Sequence, residues 1–234
     1  MAAAVIVAAG FYFFKDNSSK QTNQNQSADS NANVSTNEAA KYTIDNQESI
    51  YFIVNRKRPI STNYIPKDLV TPDINLIPGD NPEEQQLRKE VADAAEQMFN
   101  DADKHGYRLV MASGYRSASL QKFYYDNYVR KDGQEAADTY SARPGTSEHQ
   151  TGLALDIARV DRKCYLQICF ASTIEGDWLK NNAHKYGFHL RYQKGKEQIT
   201  GYQFEPWHFR YVGKELAGKL YESGLAMEEF FGLN

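Results

Sequence analysis

Cysteine is scarce: two residues in 234, too few for a disulfide-knit scaffold or a cysteine-rich zinc module. Neither sign of charge dominates. Lys and Arg total 27 against 30 Asp and Glu, a net −3 that excludes a nucleic-acid binder working through overall basicity. No repeat of about 20–50 residues is visible, which removes solenoids and propellers. No apolar run reaches the roughly 18–20 residues that span a bilayer; the longest covers residues 2–14. Core material, by contrast, is ample. Hydrophobic residues make up 41% and aromatic residues 13%, so the chain is not disordered throughout.

The run at residues 2–14 (AAAVIVAAGFYFF) precedes Lys15 and reads as the outer part of an N-terminal membrane anchor. The alternative is a buried helix of a soluble protein. In residues 16–40, Asn, Ser, Gln and Thr supply 16 of 25 positions. Such a segment buries too little surface to offset the entropy of ordering it. The expected organisation is an anchor segment at 1–15, a disordered polar linker at 16–47 and one folded domain at 48–234.

Within that domain, residues 49–54 form a short extended apolar run, and Pro59, Pro66, Pro72, Pro78 and Pro82 mark irregular chain. A helix is expected at 82–105, with Asn81 as cap and Pro82 at its first position. Its apolar face would carry Leu87, Val91, Ala94, Ala95, Met98, Phe99 and Ala102, and Gly106 would end it. Strands are expected at 107–111, 153–157, 188–192 and 207–212. Further helices are expected at 118–131 behind Ser117, at 176–186 and at 214–222. Helices early and strands late indicate an α+β domain with a central antiparallel sheet.

Two segments carry metal-binding chemistry. His149 and Asp156 lie in SEHQTGLALD, and His208 lies in FEPWHFRY. Two imidazoles and a carboxylate are a common zinc ligand set in hydrolases, with a fourth position left for water. Glu205, just before His208, can stand beside such a metal without binding it and exchange a proton there. An ion pair with Arg210 or Lys214 is the other role open to it. Arg116 follows a strand and can aim a fixed positive charge into a cleft, where Gln121 would join it. Cys164 and Cys169 suit a small loop disulfide outside the cell, or two free thiols.

Four ordered motifs carry a resemblance: SGYRSxxxQ (113–121), SxHxxGxAxD (147–156), YGFxLRY (186–192) and ExxHxRYVG (205–213). Together they resemble the VanY-type zinc D-alanyl-D-alanine carboxypeptidases, which include LdcB-type L,D-carboxypeptidases. The resemblance implies the hedgehog and D-Ala-D-Ala peptidase fold, with helices packed on one side of the sheet. It implies one zinc ion held by His149, Asp156 and His208, with Glu205 as general base and Arg116 at the oxyanion. Gln121 and Ser147 would meet the substrate's terminal residue, and Tyr115, Tyr192 and Trp207 would wall the cleft. The implied substrate is the peptidoglycan stem peptide, losing a C-terminal D-alanine outside the cell. L,D-cleavage of tetrapeptides is favoured over D,D-cleavage of pentapeptides. The implied enzyme is a membrane-tethered monomer at the cell wall with no nucleic-acid partner. A cross-bridge endopeptidase and a non-catalytic zinc module remain as alternatives; a structural zinc site would need neither Glu205 nor Arg116.

Overall fold

Side chains alternate between two chemistries along the main strands, and that alternation sets the architecture. The computed structural model describes residues 39–78 and 81–233, and these belong to one compact unit. Two short strands, β1 (Leu69–Val70) and β2 (Leu87–Arg88), pair antiparallel. Strands β3 (Leu109–Ser113), β4 (Ala154–Arg159), β5 (Phe188–Leu190) and β6 (His208–Tyr211) form an antiparallel sheet in the order β3-β4-β6-β5. The registers place Leu155 beside Phe209, and Phe209 beside Leu190, on one face. Asp156, His208, Arg210 and His189 fall on the other.

The helices longer than one turn are α1 (Lys89–Lys104), α2 (Ala118–Asp132), α3 (Gln134–Tyr140), α4 (Ile174–Asn182) and α5 (Gly213–Ser223). Val91, Ala95, Met98 and Phe99 of α1 and Leu179 of α4 join Leu155, Ile157, Phe188 and Phe209 in one apolar core. Each large side chain buried there contributes about 1.5–3 kcal/mol over leaving it in water. The apolar face therefore supplies most of the stabilisation and leaves the opposite face for polar groups.

The helix expected at 82–105 is shorter than its pattern. Pro82–Gln85 is a 3-10 turn, β2 follows, and only then does α1 begin. Tertiary partners claim this backbone first. Gly114 N–H donates to Glu84 (2.6 Å), Tyr115 N–H to Gln86 (2.7 Å) and Arg88 N–H to Gly152 (3.1 Å). Only glycine fits at 114, where a Cβ would lie 2.4 Å from the Gln86 oxygen. Asn81 does not cap; its amide donates to the Tyr124 hydroxyl. Ser117 does cap α2, accepting from Leu120 N–H. Neither α3 nor the final turn Met227–Phe230 was marked by an apolar period.

The linker boundary also moves. Residues 42–47 belong to the fold: Tyr42 is buried edge-on against Tyr51 (4.7 Å) and Phe231 (5.8 Å). The Ile44 oxygen accepts from Ile53 N–H, and Asp45 pairs with Arg58. The proposed anchor and the linker up to residue 38 lie outside the described residues. Among the described residues, no helix is long and apolar enough to cross a membrane.

The polar face holds a buried ion network. Arg191 donates to Glu148 (2.8 Å) and to both carboxylate oxygens of Glu228 (2.8 and 2.5 Å). Arg210 donates to Glu148 (2.9 Å) and to the carbonyls of Ile50 and Phe52. Asn55 donates to Glu228 at 3.0 Å. The opening segment, the sheet and the C-terminal turn are thereby joined. Burial opposes ionisation of Glu228, but the Arg191 guanidinium outweighs it and holds the carboxyl below its ordinary value. A lowered folded pKa stabilises above the unfolded value of about 4.3 and ceases to do so as pH falls past the folded value. Glu228→Gln leaves buried Arg191 short of charge and should cost about 3–5 kcal/mol near pH 7. Urea unfolding should show that difference shrinking as pH falls below the unfolded carboxyl value; a difference independent of pH would contradict the ionised pair.

Candidate active site

Antiparallel register sets the first two groups. Asp156 of β4 stands opposite His208 of β6, so both side chains leave the polar face together. Asp156 Oδ1 is 3.2 Å from His208 Nδ1. His149 arrives from the 3-10 turn Glu148–Thr151, which Ser147 caps and left-handed Gly152 (φ 66°) ends at the mouth of β4. Its Nε2 lies 3.4 Å from Asp156 Oδ2. Donor atoms of all three buried residues fall within 4.8 Å of one another.

The second nitrogen of each imidazole is engaged elsewhere. His149 Nδ1 is 2.7 Å from the Gly114 carbonyl, so its proton sits there and Nε2 keeps the lone pair. His208 Nε2 is 3.2 Å from the Glu148 carboxylate, which leaves Nδ1 facing the cluster. Asp156 Oδ1 is buried and has no aligned hydrogen-bond partner. Two oriented imidazoles and a carboxylate fit zinc with a coordination position to spare.

The electrostatics agree. Burial disfavours a charged Asp156, but His149 and His208 outweigh it and hold the carboxyl far below its ordinary value. Burial lowers His149 and keeps it neutral, as a ligand must be. Burial also opposes a charged His208, yet the Asp156 and Glu148 carboxylates beside it raise it to about 9. A cation would take the place of that proton.

Glu205 occupies the turn leading into β6, where its carbonyl accepts from His208 N–H and its own N–H donates to Tyr192. Its Oε2 lies 4.0 Å from His208 Nδ1, beside the three-residue cluster and outside it. Burial pushes this carboxyl up to about 8. Arg210 is engaged by Glu148, so the ion pair between Arg210 and Glu205 is not formed.

These groups open into a cavity of about 470 Å³ that Arg116, Gln121, Ser147, Tyr192 and Trp207 also line. Arg116 donates from Nε to Glu84 (2.9 Å), from Nη2 to Ser113 (2.7 Å) and from Nη1 to Gln121 (3.1 Å). Glu84 further accepts from Tyr124 at 2.7 Å. The guanidinium is thus fixed in direction, with N–H groups left over on its terminal nitrogens. The Tyr192 ring packs 4.8 Å from the His208 ring. Trp207 serves both the cavity wall and the apolar core.

Tyr115 departs from expectation. It does not line the cavity, and its ring is buried, 3% exposed, near Glu83 and Tyr64. In extended chain, neighbours point to opposite sides, so placing Arg116 in the cleft turns Tyr115 away. Cys164 and Cys169 are joined as a disulfide. His105, His184 and His189 stay outside the metal cluster.

Sequence reasoning missed Glu148 and Glu84. Glu148 adjoins His149 in the motif, but only the fold shows it to be fully buried against His208, Arg191 and Arg210. Glu148→Gln should weaken divalent-cation affinity about 10–100-fold, as loss of an outer-shell partner does. Chelator competition measures this, with thermal unfolding run in parallel. Unchanged affinity in a folded variant would deny Glu148 that orienting role.

Comparisons with known proteins agree with this geometry. A family profile described as D-alanyl-D-alanine carboxypeptidase (VanY) matches residues 84–214. The putative carboxypeptidase YodJ of Bacillus subtilis (strain 168) is 46% identical over 189 residues, covering 81% of this chain and 69% of that protein. The solved LdcB LD-carboxypeptidase superposes with a TM-score of 0.76 at 45% identity, over 80% of this chain and 87% of the other. A mutant of the vancomycin-resistance D,D-pentapeptidase VanY, solved with Zn(II), gives 0.61 at 34% identity, over 78% and 98%. The motifs, the fold and the buried His-Asp-His cluster converge with these matches, and the chain belongs to the VanY family of D-alanyl-D-alanine carboxypeptidases.

Proposed function

We propose that this protein is a zinc-dependent carboxypeptidase that removes the C-terminal D-alanine from peptidoglycan stem peptides. The observation that carries the reading is the buried His149-Asp156-His208 cluster with an unbound carboxylate, Glu205, at its side. Zinc held there supplies Lewis acidity, polarising a carbonyl and acidifying a water. Glu205 accepts the proton of the attacking water and returns it to the departing amine. Arg116, braced by Glu84, Ser113 and Gln121, presents N–H groups to the oxyanion. Ser147 and Gln121 line the same cavity and offer polar groups to a free terminal carboxylate. Tyr192 and Trp207 wall the peptide. Ser113 and Ser147 are not nucleophiles, because direct hydrolysis needs no covalent intermediate.

L,D-cleavage of the tetrapeptide is the narrower reading. The LD-carboxypeptidase comparison supports it, at 45% identity against 34% for the D,D-pentapeptidase. The Cys164–Cys169 disulfide favours an oxidising compartment outside the cell. With the apolar run at 2–14 and the polar tract after it, this supports a domain tethered to the outer face of the membrane, at the cell wall.

Incubation with defined tetra- and pentapeptide stems should release one alanine mass, faster from the tetrapeptide, and a chelator should abolish it. A split stem or bridge would indicate an endopeptidase instead. Glu205→Ala should reduce turnover to background while zinc stays near one per chain by metal analysis. Activity surviving that change would remove Glu205 as base.

A further inference from the structure

One wall of the cavity comes from a loop that the proton chemistry does not use. Tyr165 and Leu166, between β4 and α4, line the cavity together with Glu84, Arg116 and Asp156. The chain reaches them by an unusual path. Arg162, Cys164 and Leu166 have φ of 58°, 56° and 47°, the left-handed region that residues with side chains rarely enter. They are the positive-φ non-glycine residues among those described, and they alternate within one short loop. Such conformations persist only where the surroundings over-determine them, and they gather at ligand clamps.

The over-determination is on hand. The Cys164–Cys169 disulfide closes the loop across Tyr165 and Leu166. Gln167 N–H donates to the Cys164 carbonyl at 3.2 Å, and Arg162 N–H to that of Arg159 at 3.0 Å. Arg159 grips Asp161 at 2.9 and 3.0 Å, and Asp161 accepts from Lys163 N–H at 3.0 Å. Cys164 and Leu166 rest against the apolar core, while Tyr165 stays 36% exposed at the cavity. Burial raises the Tyr165 phenol above its ordinary value, and Asp156, Arg162, Glu84 and Arg116 are the charges close enough to bear on it. The ring therefore shares one cavity with the metal cluster and Arg116.

We propose that the Cys164–Cys169 disulfide is a specificity element that holds Tyr165 and Leu166 as a fixed wall. This wall selects the residue accepted on the acyl side of the bond that is cut, the L-centre of a tetrapeptide or the penultimate D-alanine of a pentapeptide. The inference rests on the stem-peptide reading above and goes beyond it, by assigning that selection to a loop outside the ligand, base and oxyanion groups. Tyr165 acts here as a specificity residue, in contact with the peptide and not with the proton being moved.

The test compares the full chain, its disulfide verified by thiol titration, with Cys164→Ser/Cys169→Ser and with Tyr165→Ala. Each is assayed on tetra- and pentapeptide stems of otherwise identical sequence, with zinc content and thermal unfolding measured alongside. Both variants should keep one zinc and a near-native kcat. Their KM for the preferred stem should rise about three- to tenfold, the scale of one lost aromatic contact. The ratio of kcat/KM between the two stems should fall toward unity, and combining the changes should add little. Tyr165→Ala removes a partly exposed ring and covers the case in which the cysteine variant does not fold. Variants that keep both KM and the ratio, in an enzyme whose native form trims stems, would overturn the inference alone. A native chain that trims neither stem would instead overturn the functional reading beneath it.

Discussion

The site depends on a single register. Pairing β4 with β6 so that Asp156 faces His208 puts two side chains able to bind a metal on adjacent strands of the polar face. A slip of one residue would turn both into the apolar core and bring Leu155 and Phe209 out in their place. The core therefore protects the site: Leu155, Ile157 and Phe209 gain by facing α1 only in the register that aligns the ligands. The turn Glu148–Thr151 then has to deliver only one further imidazole to a pair already formed.

Behind the ligands lies a second layer that makes the geometry stiff. Glu148 takes hydrogen bonds from His208, Arg191 and Arg210 in a buried position. An unbalanced charge there would be costly, and the network balances it by reaching outward. Arg191 continues to Glu228 and Asn55, and Arg210 to the backbone of residues 50 and 52. The orientation of one imidazole is thus tied to both ends of the folded unit. On the opposite side of the cavity, Glu84 serves Arg116 in a similar way, holding a charge whose own position is in extended chain.

Much of this was legible in the sequence, and the reasons differ by element. His149, Asp156, His208 and Glu205 stood out because their residue types at those spacings suit one chemistry, and the fold brings them into one cavity. The sheet was legible from its alternation, and α1 from its apolar face. The start of α1 was not, since Glu84, Gln86 and Arg88 use their backbone for tertiary pairing that no propensity encodes. Tyr115 reaches the cleft only in what the resemblance implies; in the extended chain it points away from the side that Arg116 takes. Glu148 and Glu84 carried no signal: a glutamate buried against arginines looks the same in sequence as one in water. Tyr165 was hidden for another reason, since its place depends on three left-handed residues that are not glycine.

The central claim is that three side chains grip one cation while Glu205 stays off it. Anomalous diffraction at the zinc edge, on crystals of the native chain, tests this most directly. The account requires one peak at about 2.0–2.2 Å from His149 Nε2, His208 Nδ1 and an Asp156 oxygen, with Glu205 beyond bonding distance. A peak elsewhere, or one bound by Glu205 in place of any of the three, would contradict it.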